Sequence, residues 1–404
     1  MHKRAVGELA VFGGPPLFQE PLHVGGPNLG SRTRLVERIE GIFDRNWLTN
    51  DGPLVVEFER RVAEYLGVRH CVAVCNGTAG IEIALRATGM SGEVIVPAFS
   101  FIATAHAVRW MGLDTVFCDI GRRTHTIDPA KIADLIAPVT SGIIGVHLWG
   151  RPCEIEEMEE IARARGLRLI FDAAHAFGCS HRGRMIGCFG DAEVFSFHAT
   201  KVLNTGEGGA IVTDSDEIAE RARLMRNSGF TGVDRVTALG TNAKMSELAA
   251  ALGLTNLESI EYFIEEHRRC YERYRLRLGG PPGLTLLQYD PSERCNYQYV
   301  VAEVDADLAG IGRDRLVQVL RAENVLARRY FYPGCHRSMP YAGERRDARE
   351  DLAVTDQVAQ RVITLPTGSA INDSQVDGVC GLLDFALAHA QEIEQRARLL
   401  APAV

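Results

Sequence analysis

No apolar run in the 404 residues approaches the ~20 that a membrane-spanning helix needs. The opening stretch MHKRAVGELAVFGG is broken by Glu8 and Gly13 and lacks the apolar core of a secretory signal. The expectation is a soluble, cytoplasmic protein. Basic charge is also in short supply. Lys and Arg total 44 against 52 Asp and Glu, a net charge of −8, which argues against a nucleic-acid binder working through a basic surface. The ten cysteines include no C-x-x-C pair, so free buried thiols are expected rather than disulfides or a metal site. Cys179, His181 and Cys188 match no common zinc spacing. Walker A and G-x-G-x-x-G signatures are missing, which removes the common nucleotide-binding folds.

What is present is average globular composition, 46% apolar and 24% charged, arranged in alternation. Seven short β-rich runs appear before residue 215: HCVAV (70–74), EVIVP (93–97), DTVFCDI (114–120), SGIIGVHLW (141–149), LRLIFDAA (167–174), DAEVFSF (191–197) and GGAIVT (208–213). Several are almost wholly apolar, as strands covered on both faces must be. The segments between them have helical spacing. One starts at Pro53 and carries Leu54, Phe58, Val62 and Tyr65 on one face; another carries Ile155, Met158 and Ile161. The fold class is therefore α/β: a mostly parallel seven-stranded sheet sandwiched by helices, followed by a smaller C-terminal α+β domain. The expected division is 1–250 and 251–404. In the second part we expect a long helical stretch from Met245 to Leu278 bent near Gly253, a strand at 297–305, a helix at 314–323 and a last helix at 374–400.

Four strand ends carry chemistry. Lys201 follows the apolar run VFSF, and the turn beyond a strand's C-terminal end is where open α/β sheets bind ligands. Asp172 closes the run RLIFD, and a carboxylate there needs a cationic or hydrogen-bonding partner. Asn76-Gly77-Thr78 follows HCVAV and opens a helix whose free N–H groups suit a phosphate. Phe99 and Phe101 follow EVIVP; Phe99 reads as core, whereas Phe101 reads equally as core or as a ring lying flat on a planar cofactor. An amine, a carboxylate, a phosphate cradle and an aromatic face together describe a site for pyridoxal 5′-phosphate.

The runs WLTNDGPLVVEFE, NGTAGIEIAL, VIVPAFSFIATAHAV, DAAHAFG, SFHATKVLNTGEGGAI and NAKMSELAAALGL, in this order, carry a resemblance to the pyridoxal-phosphate-dependent sugar aminotransferases of the DegT/DnrJ/EryC1/StrS family, which have the type I aspartate aminotransferase fold. The resemblance implies roles. Lys201 would hold the cofactor as a Schiff base and shuttle a proton, Asp172 would pair with the pyridine nitrogen, and His175 would contact the ring hydroxyl side. Gly77, Thr78 and Ser196 would hold the phosphate, and Phe101 would stack on the ring. Asn242 would reach the phosphate of a second copy across a homodimer interface. The cofactor would alternate between pyridoxal and pyridoxamine 5′-phosphate as an amino acid, glutamate in related enzymes, gives up its amino group to a ketosugar. Lysine at 201 argues against the dehydratase branch, in which histidine stands there.

The run SFHATK with NTGEGG resembles family members that aminate C4 of a nucleotide-linked 4-keto-6-deoxyhexose, with C3 amination and a keto-cyclitol substrate as the enzymatic alternatives and a cofactor-binding regulatory protein as the non-enzymatic one. An antibiotic or other aminosugar pathway is implied. Substrate-contact candidates are Thr49 within Trp47–Asn50, His198, Asn204, Lys244, Arg329, Tyr330 and Tyr332, with Arg328, Phe331 and His336 beside them.

Overall fold

The computed structural model describes residues 3–343 and 349–400. The seven runs form one sheet: β1 (His70–Val74), β2 (Glu93–Pro97), β3 (Asp114–Cys118), β4 (Thr140–Val146), β5 (Arg168–Asp172), β6 (Ala192–Ser196) and β7 (Gly209–Thr213). Their order is β1-β7-β6-β5-β4-β2-β3. Only β7 runs antiparallel to its neighbours, β1 and β6; the other pairs are parallel. The period of two is visible in the packing. Cys71 and Ala73 of β1, with Leu169 and Phe171 of β5, face one core, whereas Val72, Val74 and Ile170 face another. On this count Asp172 and Ser196 fall on the second face.

Helices cover both faces. The first face takes α2 (Pro53–Leu66), α6 (Ile155–Arg165) and α8 (Glu247–Leu257), the second α3 (Gly77–Ala87), α4 (Ile102–Trp110) and α7 (Asp216–Arg226). Two further helices, α1 (Arg32–Arg45) and α5 (Pro129–Leu135), add Ile42, Ile132 and Leu135 to the first core. The start of α2 shows how locally these boundaries are set. Pro53 occupies the first turn, and the buried Glu247 carboxylate accepts from the N–H groups of Leu54 and Val55 at 3.0 and 2.8 Å, satisfying two donors the helix cannot.

The expected strand over 141–149 stops at Val146. Trp149 sits at φ 64° inside a short turn, a conformation no strand admits. The expected helix from Met245 to Leu278 is two helices, α8 and α9 (Ile260–Leu278), broken at Glu258-Ser259 and not at Gly253. Gly253 lies buried within α8, where an added Cβ would come within 2.7 Å of Phe58 and Thr205; it is there for close packing.

A second core surrounds an antiparallel sheet of β8 (Leu284–Leu286), β9 (Val300–Val304) and β10 (Val362–Leu365), with α10 (Arg313–Ala322), α11 (Asp373–Ala388) and α12 (Ala390–Leu400). The expected single helix over 374–400 is thus two, separated at His389. The N-terminal arm belongs to this core. Val6, Leu9 and Leu22 are buried in it, and the buried Glu323 carboxylate accepts from Ala10 and Leu17 N–H at 2.7 and 2.6 Å. Helix α9 spans the two cores, with Phe263 and Ile264 in the first and Cys270, Tyr271, Tyr274 and Leu278 in the second. We therefore propose that the link between domains lies in α9 and not at residue 250, which falls inside α8, and that the arm counts with the C-terminal domain; residues 401–404 lie outside the described residues.

Candidate active site

The C-terminal ends of β1, β2, β5 and β6 converge on a cavity of about 430 Å³. It is lined by Gly77, Thr78, Phe101, Asp172, His175, Ser196, His198 and Lys201, and by Arg328, Tyr330 and Phe331 from later in the chain, all of them singled out from the sequence. Convergence follows from topology: parallel neighbours deliver their following loops to one edge of the sheet.

Asp172 is buried and makes no ion pair among the described residues. Its Oδ2 accepts from the Thr104 hydroxyl at 2.7 Å and its Oδ1 from Ala174 N–H at 3.1 Å. Burial raises the carboxyl above its ordinary range, against the pull of these two hydrogen bonds and of Lys201. Lys201 sits in the loop joining β6 to β7, which Phe197 N–H closes onto Gly208 C=O at 2.8 Å. Burial lowers its ammonium to about 8, with Asp172 acting in the opposite direction. Lowering toward 8 leaves roughly a tenth of the amine uncharged, hence nucleophilic, at pH 7, far more than for an ordinary lysine.

The α3 N-terminus is built for an anion. Asn76 caps it, its side chain accepting from Ala79 N–H at 2.8 Å. The first-turn N–H groups of Gly77 and Thr78 are those a helix leaves without an internal acceptor. A Cβ on Gly77 would stand 2.9 Å from the Ser196 Cβ, so only glycine lets this turn close on β6. Phe101, half exposed at the mouth, has its ring 6.2 Å from Phe331, whereas Phe99 is fully buried. Phe331 stacks on Trp149 at 5.2 Å and continues the aromatic wall toward His175. His175 is held neutral by burial, with the Lys201 charge adding in the same direction.

Several expected contacts lie elsewhere. Asn204 is buried, donating to Asn28 C=O at 2.8 Å; it ties the lysine loop to the N-terminal segment and does not line the cavity. Arg329 pairs with Asp314 at 3.1 Å and lies over Tyr332, and neither lines the cavity. Thr49, Asn242 and Lys244 are also outside this chain's cavity; Lys244 donates to Asn242 Oδ1 at 2.7 Å. His336 is buried against Asp356. His181 of the weighed zinc trio lies 3.0 Å from Glu156. Sequence reasoning passed over Thr104, Ser100 and Tyr299. Asn76, read there only as part of the Asn76-Gly77-Thr78 helix opening, is a recognisable helix cap; Tyr299 carries no local signal at all.

Residues 31–384 match the model of the DegT/DnrJ/EryC1/StrS aminotransferase family. The chain is 36% identical over 360 residues to a dTDP-4-amino-4,6-dideoxy-D-glucose transaminase of Escherichia coli, covering 88% of this chain and 96% of that one. It is 33% identical over 376 residues to a GDP-perosamine synthase of Caulobacter vibrioides, covering 91% and 98%. Among solved structures, DesI in the presence of its TDP-sugar product superposes with a TM-score of 0.94 at 48% identity, covering 98% of this chain and all of the other. With its sheet order, its cavity and these matches agreeing along most of its length, the chain belongs to the DegT/DnrJ/EryC1/StrS aminotransferase family.

Proposed function

We propose that the protein moves an amino group from an amino acid, glutamate in our reading, to C4 of a dTDP-linked 4-keto-6-deoxyhexose, with pyridoxal 5′-phosphate as carrier. The observation that carries this is the meeting of Lys201 and Asp172 in one cavity that the α3 N-terminus also lines. The similarity to a dTDP-4-amino-4,6-dideoxy-D-glucose transaminase supports the sugar and the carbon position, and that to DesI, solved with its TDP-sugar product, supports a TDP-linked sugar.

The residues present fit the cofactor. Asp172 is a buried carboxylate without an ion-pair partner among the described residues, and the first turn of α3, at Gly77 and Thr78, lines the same cavity. Lys201 would hold the cofactor's aldehyde carbon, Asp172 its ring nitrogen, His175 its ring hydroxyl side, Phe101 its face, and Gly77, Thr78 and Ser196 its phosphate. When bound, pyridoxal phosphate supplies an electron sink for the pair released at the donor's Cα. Asp172 keeps the negative charge that favours a protonated ring nitrogen, and Thr104 keeps Asp172 in place. Lys201 Nζ, uncharged after release, takes the proton from the donor's Cα and returns it on the other side of the transfer. The buried aromatic wall excludes water from that exchange.

We further propose a homodimer in the cytoplasm. The exposed Phe43, Trp47, Leu48, Val56 and Leu248 lie on α1, the segment joining it to α2, α2 and α8 and offer an apolar surface for a second copy. Asn242, outside its own cavity, would serve the copy's phosphate. Ten free thiols suit a reducing compartment. The test is a panel of dTDP-4-keto-6-deoxyglucose, a 3-keto isomer and an inosose, each with glutamate, followed by product NMR. An amine at C4 of the dTDP-sugar is expected; conversion of only the 3-keto sugar or the inosose overturns the substrate.

A further inference from the structure

Tyr299 immediately precedes β9, in the C-terminal domain, yet its hydroxyl reaches the reacting end of the cavity. Its ring packs edge-on against Trp149 at 5.4 Å, and its carbonyl accepts from the Tyr289 hydroxyl at 2.8 Å, so the side chain is fixed from both sides. The Tyr299 oxygen stands 3.2 Å from His175 Nε2 and 3.5 Å from Lys201 Nζ.

Trp149 N–H donates to His175 Nδ1 at 3.4 Å, so that nitrogen is the acceptor. A neutral imidazole then carries its proton on Nε2, and this N–H donates to the Tyr299 oxygen. The Gln298 amide adjoins the same hydroxyl. With its oxygen serving as acceptor, the tyrosine has its own proton left to give, and Lys201 Nζ lies in reach. An uncharged amine has a lone pair to receive it; an ammonium has none. The other ionisable groups near this point are Asp172 beside Lys201, and Tyr330 and Arg328 beside Tyr299.

We propose that Tyr299 is a positioning residue for Lys201: oriented by His175, its hydroxyl donates to the uncharged ε-amine, fixing the direction of the lone pair and disfavouring its protonation. This rests on the reading of Lys201 as the cofactor-holding amine. It also makes the reactive amine answerable to the C-terminal domain, because the donor arrives from there.

The test follows the pH dependence of cofactor capture by the full-length chain, monitored by visible absorbance. Capture is then locked with borohydride and located by peptide mass mapping. In the wild type the capture rate should rise with a midpoint set by Lys201. In Tyr299→Phe the midpoint should move upward by ~0.5–1 pH unit, the size of one net hydrogen bond, with the pyridoxyl group still on Lys201. A merely structural tyrosine would leave the midpoint where it was. A tyrosine that accepts from the ammonium would, on removal, move it downward. Either result overturns the proposal while leaving the Lys201 assignment standing, and an unmodified Lys201 in the wild type overturns both. Should the phenylalanine variant not fold, 3-fluorotyrosine at 299 is the second arm: a more acidic hydroxyl is a stronger donor, and the midpoint should move downward, no change or a rise being the contrary result.

Discussion

Thr104 holds Asp172 from a different strand end: its hydroxyl donates to Oδ2 over 2.7 Å, while the Ser100 hydroxyl lies 3.1 Å from that of Thr104. The carboxylate that would face the cofactor nitrogen is therefore oriented by the first turn of α4. Thr104→Val keeps the shape and removes the donor. A hydrogen bond to a charged group contributes ~1.5–3 kcal/mol, so kcat/KM should fall ~10–100-fold. Thr104→Ser should restore most of it. Steady-state kinetics with a melting curve for each variant separates this from a folding defect.

Lys201 links activity to pH and to stability. Its ammonium is lowered from the ordinary 10.5 to about 8 by burial. Between these values the unfolded chain binds a proton the folded chain does not, so in cofactor-free protein the stability of the wild type rises with pH across that window. Lys201→Ala should abolish turnover, by at least ~10³-fold, keep the fold, and lack that rise. Melting temperatures of the two proteins measured from pH 7 to about 10 check the sign; a parallel pair of curves contradicts it.

At Gly77 the strand and helix leave no space for a side chain. Gly77→Ala places a Cβ 2.9 Å from the Ser196 Cβ, forcing the α3 start away from β6. The N–H groups proposed to face the phosphate move with it. Affinity for pyridoxal phosphate should drop by ~10-fold or more, the effect of one charge-assisted hydrogen bond. Equilibrium titration of the cofactor measures it; unchanged affinity would place the phosphate elsewhere.

Glu247 is a stability residue rather than a catalytic one. It is fully buried, and its carboxylate caps the start of α2 through Leu54 and Val55. Glu247→Ala leaves two N–H groups unsatisfied and a cavity, at a cost of ~2–4 kcal/mol. Denaturant unfolding should show a lower midpoint, while kcat of the remaining folded enzyme stays near the wild-type value.

Much of this was readable from the chain because β strands covered on both faces leave long apolar runs. The residue where each run turns polar, Asp172 or Lys201, is where a loop meets the sheet edge. Legibility ended where a side chain's direction decided its role. Asn204, three positions beyond Lys201, looks like a site residue by proximity but turns inward to Asn28. Thr104 sits in IATAHAV, which reads as an ordinary helix turn. Tyr299 lies 98 residues beyond Lys201 and joins it through a buried cluster it shares with Phe99, Trp149 and Phe331, drawn from distant parts of the chain. Sequence spacing has no access to such encounters. Helix breaks were equally opaque: Gly253 looked like the bend, but its missing side chain serves contact with Phe58.

The lone antiparallel strand, β7, has a mechanical consequence. Every other step between the large sheet's strands swings out through a long excursion over a face, whereas the segment bearing Lys201 leaves β6 and re-enters the strand next door. Both of its feet stand on adjacent rungs of one ladder. Any slippage or lengthening at either foot would displace the amine, so this stretch should tolerate inserted residues least of all the connections in the fold.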